Sequence, residues 1–335
     1  MPRFLPLLLL CCYCLQACAS TASNQGWPAY RQHYIAGGRV VDTGNHNVSH
    51  SESQGFGMLL AEANADRQTF DRLWQWTRHH LQRKDDALFA WRYDPAAKPP
   101  VQDQNNASDG DLLIAWALLR AAERWDNDTY AQAASAIRQA IARNLIRQYA
   151  GYTVLLPGLN GFERPDQLIL NPSYLVYPAL QAFAAQAPAE GWRDVLQDSQ
   201  TLLLKARFGT YQLPPDWLAL KQDGSLQPAE GWPKRFGFDA VRVPLYLVWG
   251  GMPADSPLLS PFRNFWSCCG QVHAWVALDN GTLSPYPASY GVKSIANLLD
   301  GQITGIAPID GEQEDYYSAS LRLLAELARQ RNAIP

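Results

Sequence analysis

Apolar residues recur at intervals of three and four along most of the chain, which is the spacing of one face of an α-helix. The pattern predicts ten helices, at about residues 53–65, 67–83, 110–125, 128–149, 172–186, 189–206, 240–250, 260–278, 289–300 and 314–331. Alternation typical of strands is scarce, and only short pieces near residues 151–156 predict a β-hairpin. No Ser/Gly-rich linker or charge block divides residues 27–331, so we expect one mainly α-helical domain.

The predicted helices are of two kinds. Residues 112–119, LLIAWALL, are apolar on every side, whereas residues 132–139, QAASAIRQ, mix apolar and polar positions. A helix that is apolar all round is buried by its neighbours, and an amphipathic helix lies at the surface. Ten or more helices in consecutive pairs therefore predict a closed toroid, with the buried helices inside and the amphipathic helices outside.

The first twenty residues, MPRFLPLLLLCCYCLQACAS, have the features of a secretory signal. Arg3 precedes an apolar run that ends at Leu15; the run is too short to span a bilayer and is followed by small residues. Two routes of processing are open. LQAC resembles a bacterial lipobox, which would end the signal at residue 17 and lipidate Cys18, and ordinary cleavage near residue 20 is the alternative. We expect a mature domain at residues 22–332, located in the periplasm, in the medium or, through Cys18, at the outer membrane.

The composition limits the partners of the chain. Only 18% of its 335 residues are charged and the formal net charge is −3, which leaves no basic surface to attract nucleic acid. The 12 Trp and 15 Tyr residues fit either a large helical core or a cleft for a flat, neutral ligand such as a sugar. We therefore expect no nucleic-acid partner.

No motif for a metal or a cofactor is present. His79 and His80 are adjacent and point to different helix faces, and the chain has no HExxH, no GxSxG and no phosphate loop. Of the six cysteines, only Cys18, Cys268 and Cys269 would remain after removal of the signal, which excludes a disulfide scaffold. We expect no metal, no cofactor, and two reduced thiols at Cys268 and Cys269.

Acidic residues stand at the start of three predicted apolar helices. The segments are SHSESQGFGMLLAEA with Glu52, NNASDGDLLIAW with Asp109 and Asp111, and RFGFDAVRVPLYLVWG with Asp239. For any one of these acids, a favourable interaction with the helix dipole is a sufficient structural explanation. The inner helices of a toroid run in the same direction, however, and their N-terminal ends meet at one mouth. The pattern therefore predicts that carboxylates from distant parts of the chain converge on one cleft.

Capping groups are also predicted at these helix starts. Ser108 suits the N-cap of the second helix, and Ser51 with Gln54 has the spacing of a capping box. Gly55 weakens its helix but would let another group approach closely.

The segment ASDGDLLIAWALLRAAERW, residues 107–125, matches the signature of family 8 glycoside hydrolases over its whole length. SESQGFGM, FDAVRVPLYLVWG and LNPSYL resemble further segments of that family, above all of its members encoded with bacterial cellulose synthase. The resemblance spans about residues 27–325. It implies an all-α (α/α)6 barrel of six inner and six outer helices and inverting hydrolysis of β-1,4-glucan (cellulose) chains. It further implies partners in a cellulose synthesis and export complex. We also expect a monomer.

The resemblance also implies roles for the three acids. Glu52 would be the general acid, Asp239 the general base, and Asp109 would bind the central sugar and support its distortion. An inverting pair stands about 6.5–9.5 Å apart, which two acids on different helices can reach and neighbours such as Asp109 and Asp111 cannot easily reach. We expect Asp109 to raise the pKa of Glu52, and Arg242 to keep Asp239 ionised.

Further side chains are candidates for contact with the substrate. Tyr174 could hydrogen-bond the attacking water or a sugar hydroxyl, and loop tryptophans could stack on glucose rings. A role in the core is a comparable explanation for each of these aromatic residues. The candidates are Tyr174, Arg242, Asp111, Trp91, Trp217 and Trp232.

Two kinds of alternative remain. Chitosan or xylan could replace cellulose under the same mechanism, although chitosan calls for acidic subsites and the loops offer few acids beyond Asp94, Asp216 and Glu230. A non-catalytic glucan-binding subunit of a secretion complex is an alternative of another class. Such a subunit has no need to retain three mutually repelling acids, so the complete set favours catalysis.

Overall fold

The apolar segments fold into helices in the computed structural model, which describes residues 26–301 and 309–332. This part of the chain forms eleven α-helices. They are α1 (Gly26–Tyr34), α2 (Ser51–Ala63), α3 (Arg67–His80), α4 (Ser108–Trp125), α5 (Asp128–Leu145), α6 (Tyr177–Gln186), α7 (Trp192–Lys205), α8 (Arg242–Trp249), α9 (Ser260–Ser267), α10 (Tyr290–Leu299) and α11 (Tyr316–Asn332). Short 3-10 turns occupy Pro172–Tyr174 and Pro188–Glu190.

The helices close into a ring. Each of α2, α4, α6, α8 and α11 contacts the next in this order, and α11 returns to α2. The helices α1, α3, α5 and α7 pack against α11, α2, α4 and α6 respectively. Residues 112–119 of α4 are buried without exception, whereas the corresponding stretch of α5 alternates between exposed and buried positions. The predicted toroid of buried inner and amphipathic outer helices is therefore confirmed.

Short antiparallel strands lie in the segments between the helices of the ring. The strands are β1 (Ile35–Ala36), β2 (Arg39–Val40), β3 (Ser49–His50), β4 (Arg92–Tyr93), β5 (Ile146–Tyr149), β6 (Tyr152–Leu155), β7 (Glu163–Arg164), β8 (Gln167–Leu170), β9 (Leu218–Lys221), β10 (Leu226–Pro228), β11 (Arg235–Phe236) and β12 (Val276–Ala277). The predicted hairpin is β5–β6, with Tyr149 opposite Tyr152. The largest sheet has the order β10-β9-β8-β7 and was not predicted, because its strands are short and its central pair joins distant segments.

Two glycines allow α2 and α4 to meet at their N-terminal turns. A Cβ atom on Gly55 would lie 2.5 Å from Leu113 Cβ, and one on Gly110 would lie 2.1 Å from Ser51 Oγ. No larger residue fits at either position without moving a helix, so the close approach expected at Gly55 is present. This contact brings the first turns of both helices, and the acids they carry, to the same end of the ring.

Several predicted helix ends are wrong. The helix placed at 128–149 ends at Leu145, where β5 takes over, and the helix placed at 172–186 is split into a 3-10 turn and α6. Pro178 lies in the first turn of α6; it has no amide hydrogen, and its ring would clash with a preceding helical turn, so a helix begins at this point and does not continue through it. The helix placed at 260–278 ends at Ser267. Trp275, expected within it, lies in a partly buried loop before β12 and donates from Nε1 to the Tyr286 hydroxyl.

Caps at the helix starts also differ from the predictions. α2 is preceded by His50, whose backbone N–H and carbonyl both hydrogen-bond the Ser53 side chain, so Ser51 and Gln54 form no capping box. Gln54 instead accepts from the Val40 amide and donates to Thr77, which fastens α2 to its neighbours. Ser108 is the first residue of α4 rather than its cap.

The predicted signal segment and Cys18 lie outside the described residues, so the domain boundaries at 17 and 22 stay predictions. No helix in the described part of the chain combines the length and the apolar character needed to cross a bilayer.

Candidate active site

A cleft of about 470 Å³ opens at the end of the ring where α2, α4 and α8 begin. It is larger than the cavities of about 30 Å³ beside Thr153 and about 10 Å³ beside Arg207, and it is partly open to solvent. The side chains that carry the chemistry of its wall are Glu52, Asp109, Asp239, Arg242, Tyr174 and Trp91. The convergence of three acids on one cleft, expected from their positions at helix starts, is present.

The three acids surround a single guanidinium group. Arg242 Nη1 lies 2.8 Å from Glu52 Oε2. Its Nη2 atom lies 3.3 Å from Asp109 Oδ2 and 3.5 Å from Asp239 Oδ1. The side chains of Arg242 and Asp109 are buried, whereas Glu52 is 16% exposed and Asp239 is 28% exposed. One positive charge therefore faces three carboxyl groups, of which Glu52 and Asp239 are the more exposed.

Two hydroxyl groups hold this guanidinium in place. Arg242 donates to Ser173 Oγ at 2.9 Å and to the Tyr317 hydroxyl at 3.0 Å. Ser173 Oγ donates to Asn171 Oδ1 at 2.7 Å, and the Tyr317 hydroxyl donates to the Phe238 carbonyl at 2.7 Å. Ser173 and Tyr317 were not among the predicted site residues, because pairing across 69 and 75 residues leaves no local pattern in the sequence.

The carboxyl group of Glu52 favours its protonated form. Burial is the largest cause and raises the pKa of Glu52 to about 8; Arg242 opposes this shift and the negative charge of Asp109 adds to it. A side-chain hydrogen bond between the two groups acts in the same direction, because it raises the pKa of Glu52 and lowers that of Asp109. Asp109 raises the pKa of Glu52, as expected, although burial raises it more.

The carboxyl group of Asp239 behaves differently from the expectation. Burial raises the pKa of Asp239 to about 7, while Arg242 lowers it and the charges of Asp216 and Glu52 raise it. The prediction that Arg242 would keep the pKa of Asp239 low is therefore wrong in its net result. The physical reason is that burial of Asp239 outweighs the effect of Arg242, which is also shared with two other acids and contacts Glu52 more closely.

Asp111 serves the fold and cannot contact a ligand in this structure. Its side chain is fully buried, and it accepts hydrogen bonds from the Phe89 amide at 2.9 Å and from Asn106 Nδ2 at 2.7 Å. Both oxygens thereby fasten the loop that precedes α4. The assignment of Asp111 as a substrate-binding residue is corrected accordingly.

The aromatic candidates fall into two groups. Trp91 and Tyr174 line the cleft, and Trp91 stacks on the His50 ring with centroids 5.9 Å apart and planes inclined by 13°. Trp217 and Trp232 lie outside the lining of the cleft and stack on each other at 5.0 Å. The Tyr174 ring lies 6.0 Å from that of Trp217, so the tryptophan pair borders the cleft on the side of the β10-β9-β8-β7 sheet.

Among the described residues, no group of three or more His, Cys, Asp and Glu side chains has an arrangement that could hold a metal ion. Cys268 and Cys269 are free thiols, and Cys269 is exposed. The carboxyl groups that line the cleft are suited to proton transfer.

Comparison with known proteins identifies the family to which the chain is similar. The model of the family described as Glycosyl hydrolases family 8 matches residues 1–331. A probable endoglucanase from Novacetimonas hansenii is 45% identical over 322 residues, which are 94% of this chain and 93% of that protein. An endoglucanase from Cellulomonas uda is 43% identical over 84% of this chain and 78% of its own length.

Solved structures agree with this assignment. The endo-β-1,4-glucanase CMCax from Acetobacter xylinum has 42% identity and a TM-score of 0.87, over 92% of this chain and 98% of that chain. A family 8 endo-β-1,4-glucanase from an Achatina fulica gut metagenomic library has 43% identity and a TM-score of 0.88, over 93% and 99% of the two chains.

Proposed function

The chain belongs to glycosyl hydrolase family 8, and we propose that it cleaves β-1,4-glucan chains with Glu52 as general acid and Asp239 as general base. It has the (α/α)6 barrel of that family and is an inverting endoglucanase, as its relatives at 43–45% identity indicate. The observation that carries the assignment of the acids is their arrangement around Arg242. The arrangement permits the separation of about 6.5–9.5 Å that leaves room for a water molecule between the two acids.

The proposed reaction is a single displacement. Glu52 transfers its proton to the glycosidic oxygen as the bond from that oxygen to the anomeric carbon breaks. A water molecule attacks the same carbon from the opposite face, and Asp239 accepts a proton from it. The products are a free 4-hydroxyl on one chain and a reducing end of inverted, α configuration on the other.

The pKa values of the two acids suit these roles. The acid needs its proton and the base must have lost its own, so the pKa of Glu52 should lie above that of Asp239. The values of about 8 and about 7 have this order. Rate should therefore fall below neutrality as Asp239 becomes protonated, and at alkaline pH as Glu52 loses its proton.

Arg242 provides charge compensation during the reaction. Glu52 becomes an anion when it gives up its proton, and the guanidinium 2.8 Å away stabilises the new charge. At the same time Asp239 becomes neutral, so the net charge of the cluster does not change. Asp109 is already committed to Arg242 and Glu52; we assign it to binding and distorting the central sugar.

The remaining contacts with the glucan are assigned by position. Trp91 and Tyr174 both line the cleft, so we propose a stacking contact for Trp91 and a hydrogen bond to water or sugar for Tyr174. Trp217 and Trp232 stay predicted contacts for a chain that extends beyond the cleft.

The biological setting is an extension of these assignments. We propose that the protein acts on cellulose chains during bacterial cellulose biosynthesis, as a monomer outside the cytoplasm. The signal-like segment supports periplasmic or secreted location, or an outer-membrane lipoprotein anchored through Cys18. Contacts with a cellulose synthase or export complex rest on the family resemblance.

The test combines substrate choice with stereochemistry. Wild type and Glu52→Gln would be assayed for viscosity loss and reducing ends on carboxymethylcellulose, with chitosan and xylan in parallel. We expect rapid viscosity loss on the cellulose derivative only for wild type, and proton NMR of a cello-oligosaccharide digest should show the α-anomer first. Activity on chitosan or xylan alone would mean that this polymer, and not cellulose, is the substrate. A β-anomer would refute inversion, and binding without hydrolysis by wild type would indicate the non-catalytic subunit.

A further inference from the structure

A buried carboxylate lies behind the loop that carries the proposed base. Asp216 precedes β9, and its side chain is only 5% exposed. Its Oδ1 atom accepts hydrogen bonds from the amides of Gly237 and Ala240, both at 2.9 Å. Its Oδ2 atom accepts a hydrogen bond from Arg235 Nε at 3.2 Å. Neither the mechanism nor the cleft lining accounts for this group.

The two amides bracket the base. Asp239 lies between Gly237 and Ala240 in the chain, so one carboxylate oxygen fixes the backbone on both sides of it. The opposite side of the same turn is fixed by the Tyr317 hydroxyl, which donates to the Phe238 carbonyl at 2.7 Å. The turn is therefore held from two directions, and its one outward-facing carboxyl group is left free to reach the cleft.

The local sequence explains why such a partner is needed. The first turn of a helix leaves amide groups without intrahelical partners, and a side chain at the N-cap usually satisfies one of them. The N-cap of α8 is Val241, which has no group to offer. The amides of Arg242 and Val243 bond the carbonyl groups of Asp239 and Ala240, and the amides of the turn before the helix, at Gly237 and Ala240, find their acceptor in the distant Asp216. A Cβ atom on Gly237 would lie 3.2 Å from Asp216 Oδ2, so the carboxylate fits closely against this glycine.

We propose that Asp216 is a positioning residue for the general base, which fixes the turn at residues 237–240 and places a negative charge behind Asp239. The proposal rests on the proposed role of Asp239. A misplacement of about 1 Å at a reacting group can cost on the order of 100-fold in rate, so the backbone contact alone would have a large effect.

The charge of Asp216 has a second consequence. Asp239 faces charged or titratable groups from each surrounding element. They are Arg242 at the start of α8, Glu52 on α2, Asp109 on α4, Tyr317 on α11, Tyr174 after β8, Arg235 on β11 and Asp216 before β9. Burial raises the pKa of Asp239 and Arg242 lowers it; among the neighbouring negative charges, that of Asp216 raises it most. Removal of the Asp216 charge should therefore lower the pKa of the base.

Two substitutions separate the two effects. In Asp216→Asn the amide oxygen can still accept from both backbone amides, but the charge is lost. In Asp216→Ala both acceptors are lost. We expect Asp216→Asn to keep kcat within roughly tenfold of wild type while the acidic limb of the kcat/KM profile moves to lower pH. We expect Asp216→Ala to lower kcat by about 100-fold with a smaller change in KM.

The matched control is Asp111→Asn. Asp111 is also a buried carboxylate that fastens a loop through a backbone amide, but it does not contact the turn of the base. A purely structural effect would lower the melting temperature of both Asn variants alike. Only the Asp216 variant should move the acidic limb.

The outcomes are distinct. An acidic limb at the wild-type position in Asp216→Asn, or a wild-type kcat in Asp216→Ala, would overturn the proposal. If Asp216→Ala does not fold, the limb position of the Asn variant decides. Asp239→Asn is measured alongside: retained hydrolysis by that variant would refute Asp239 as the base, whereas its inactivity together with an unmoved limb in Asp216→Asn would refute the role of Asp216 alone.

Discussion

The two ends of the α2–α4 helix pair hold opposite arrangements of charge. At the N-terminal end, Glu52 and Asp109 share one guanidinium with a third acid. At the C-terminal end, Glu62 receives Arg120 Nε at 2.6 Å and Arg124 Nε at 2.5 Å. The first cluster has more acids than cations, and the second has more cations than acids.

The difference separates function from stability on the same two helices. Acids at the start of a helix and cations at its end are both favoured by the dipole, so the dipole does not distinguish the ends of α4. The two ends differ in the number of charged partners around each carboxyl group. Glu62 is 3% exposed and both of its oxygens are neutralised, which is a stable arrangement for a buried carboxylate. Glu52 lacks such a complement, and its proton is therefore available for transfer.

The largest expected effect is on turnover at the N-terminal end. Glu52→Gln keeps the size of the side chain but has no proton to give, and general acid catalysis contributes about 10²- to 10⁴-fold. We expect kcat on carboxymethylcellulose to fall by this amount. The reducing-end assay measures the change, with a thermal melt to confirm folding. A kcat within tenfold of wild type would move the acid to another residue.

A smaller loss of turnover is expected from Asp109→Asn. The variant removes the charge that helps to raise the pKa of Glu52, and it also removes the acceptor of the Glu52 hydrogen bond. We expect kcat to fall by about 10- to 100-fold and the basic limb of the kcat/KM profile to move to lower pH. The pH–rate profile of the purified variant measures both.

For Asp109→Asn, the position of the basic limb is the decisive measurement. A lower kcat with an unmoved basic limb would mean that Asp109 acts on the sugar alone and does not influence the acid. A basic limb that moves to higher pH would contradict the direction in which the two carboxyl groups interact.

Part of the cluster at the N-terminal end could be predicted from the sequence. The convergence of Glu52, Asp109 and Asp239 was predictable, because each stands at the start of an apolar helix and the inner helices of a toroid run together. Sharing of Arg242 among all three was not, since only its spacing from Asp239 is visible in the sequence. The pKa of Asp239 was wrongly expected to be low for the same reason, because burial is a property of the assembled ring.

Loop-borne parts of the site were the hardest to predict. Asp216 was noted only as one of a few loop acids, and its contacts with Gly237 and Ala240 exist because the segment before β9 lies against the start of α8. Asp111 shows the opposite error: its position near Asp109 suggested the cleft, but successive helix residues are rotated by about 100°, so the side chain two residues on points away from the cleft and is buried.

The next effect is on the pH dependence of stability. The pKa of Glu52 is raised in the folded protein, so between its unfolded value, about 4.3, and about 8 the folded state binds more protons than the unfolded state. Stability from this group is thus complete below the unfolded pKa and declines as pH rises toward the folded one. Glu52→Gln mimics the protonated form and escapes this decline.

We therefore expect the melting temperature of Glu52→Gln to match wild type near pH 5 and to exceed it by several degrees near pH 8. Scanning calorimetry or a dye melt across this range measures the gap. A gap that stays constant with pH would mean that Glu52 is no harder to ionise in the folded protein than in the unfolded chain.

The smallest effect, and the one that completes the comparison, is at the C-terminal end. Glu62→Gln leaves Arg120 and Arg124 without a carboxylate, and because these guanidinium groups are 32% and 40% exposed, water offsets part of the loss. We expect the melting temperature to fall by about 2–4 °C, with kcat and both limbs of the pH profile at wild-type values.

At pH 8 the changes in melting temperature at the two ends of the helix pair should therefore have opposite signs. Removing a carboxylate where acids outnumber cations raises the melting temperature and abolishes turnover, whereas removing one where cations outnumber acids lowers the melting temperature and leaves turnover intact. A rise in melting temperature for Glu62→Gln would show that the buried pairing at the C-terminal end costs more in desolvation than its two contacts return. In that case the protonation of Glu52 would have to be attributed to burial by itself, and the number of neighbouring cations would not explain why the two ends differ.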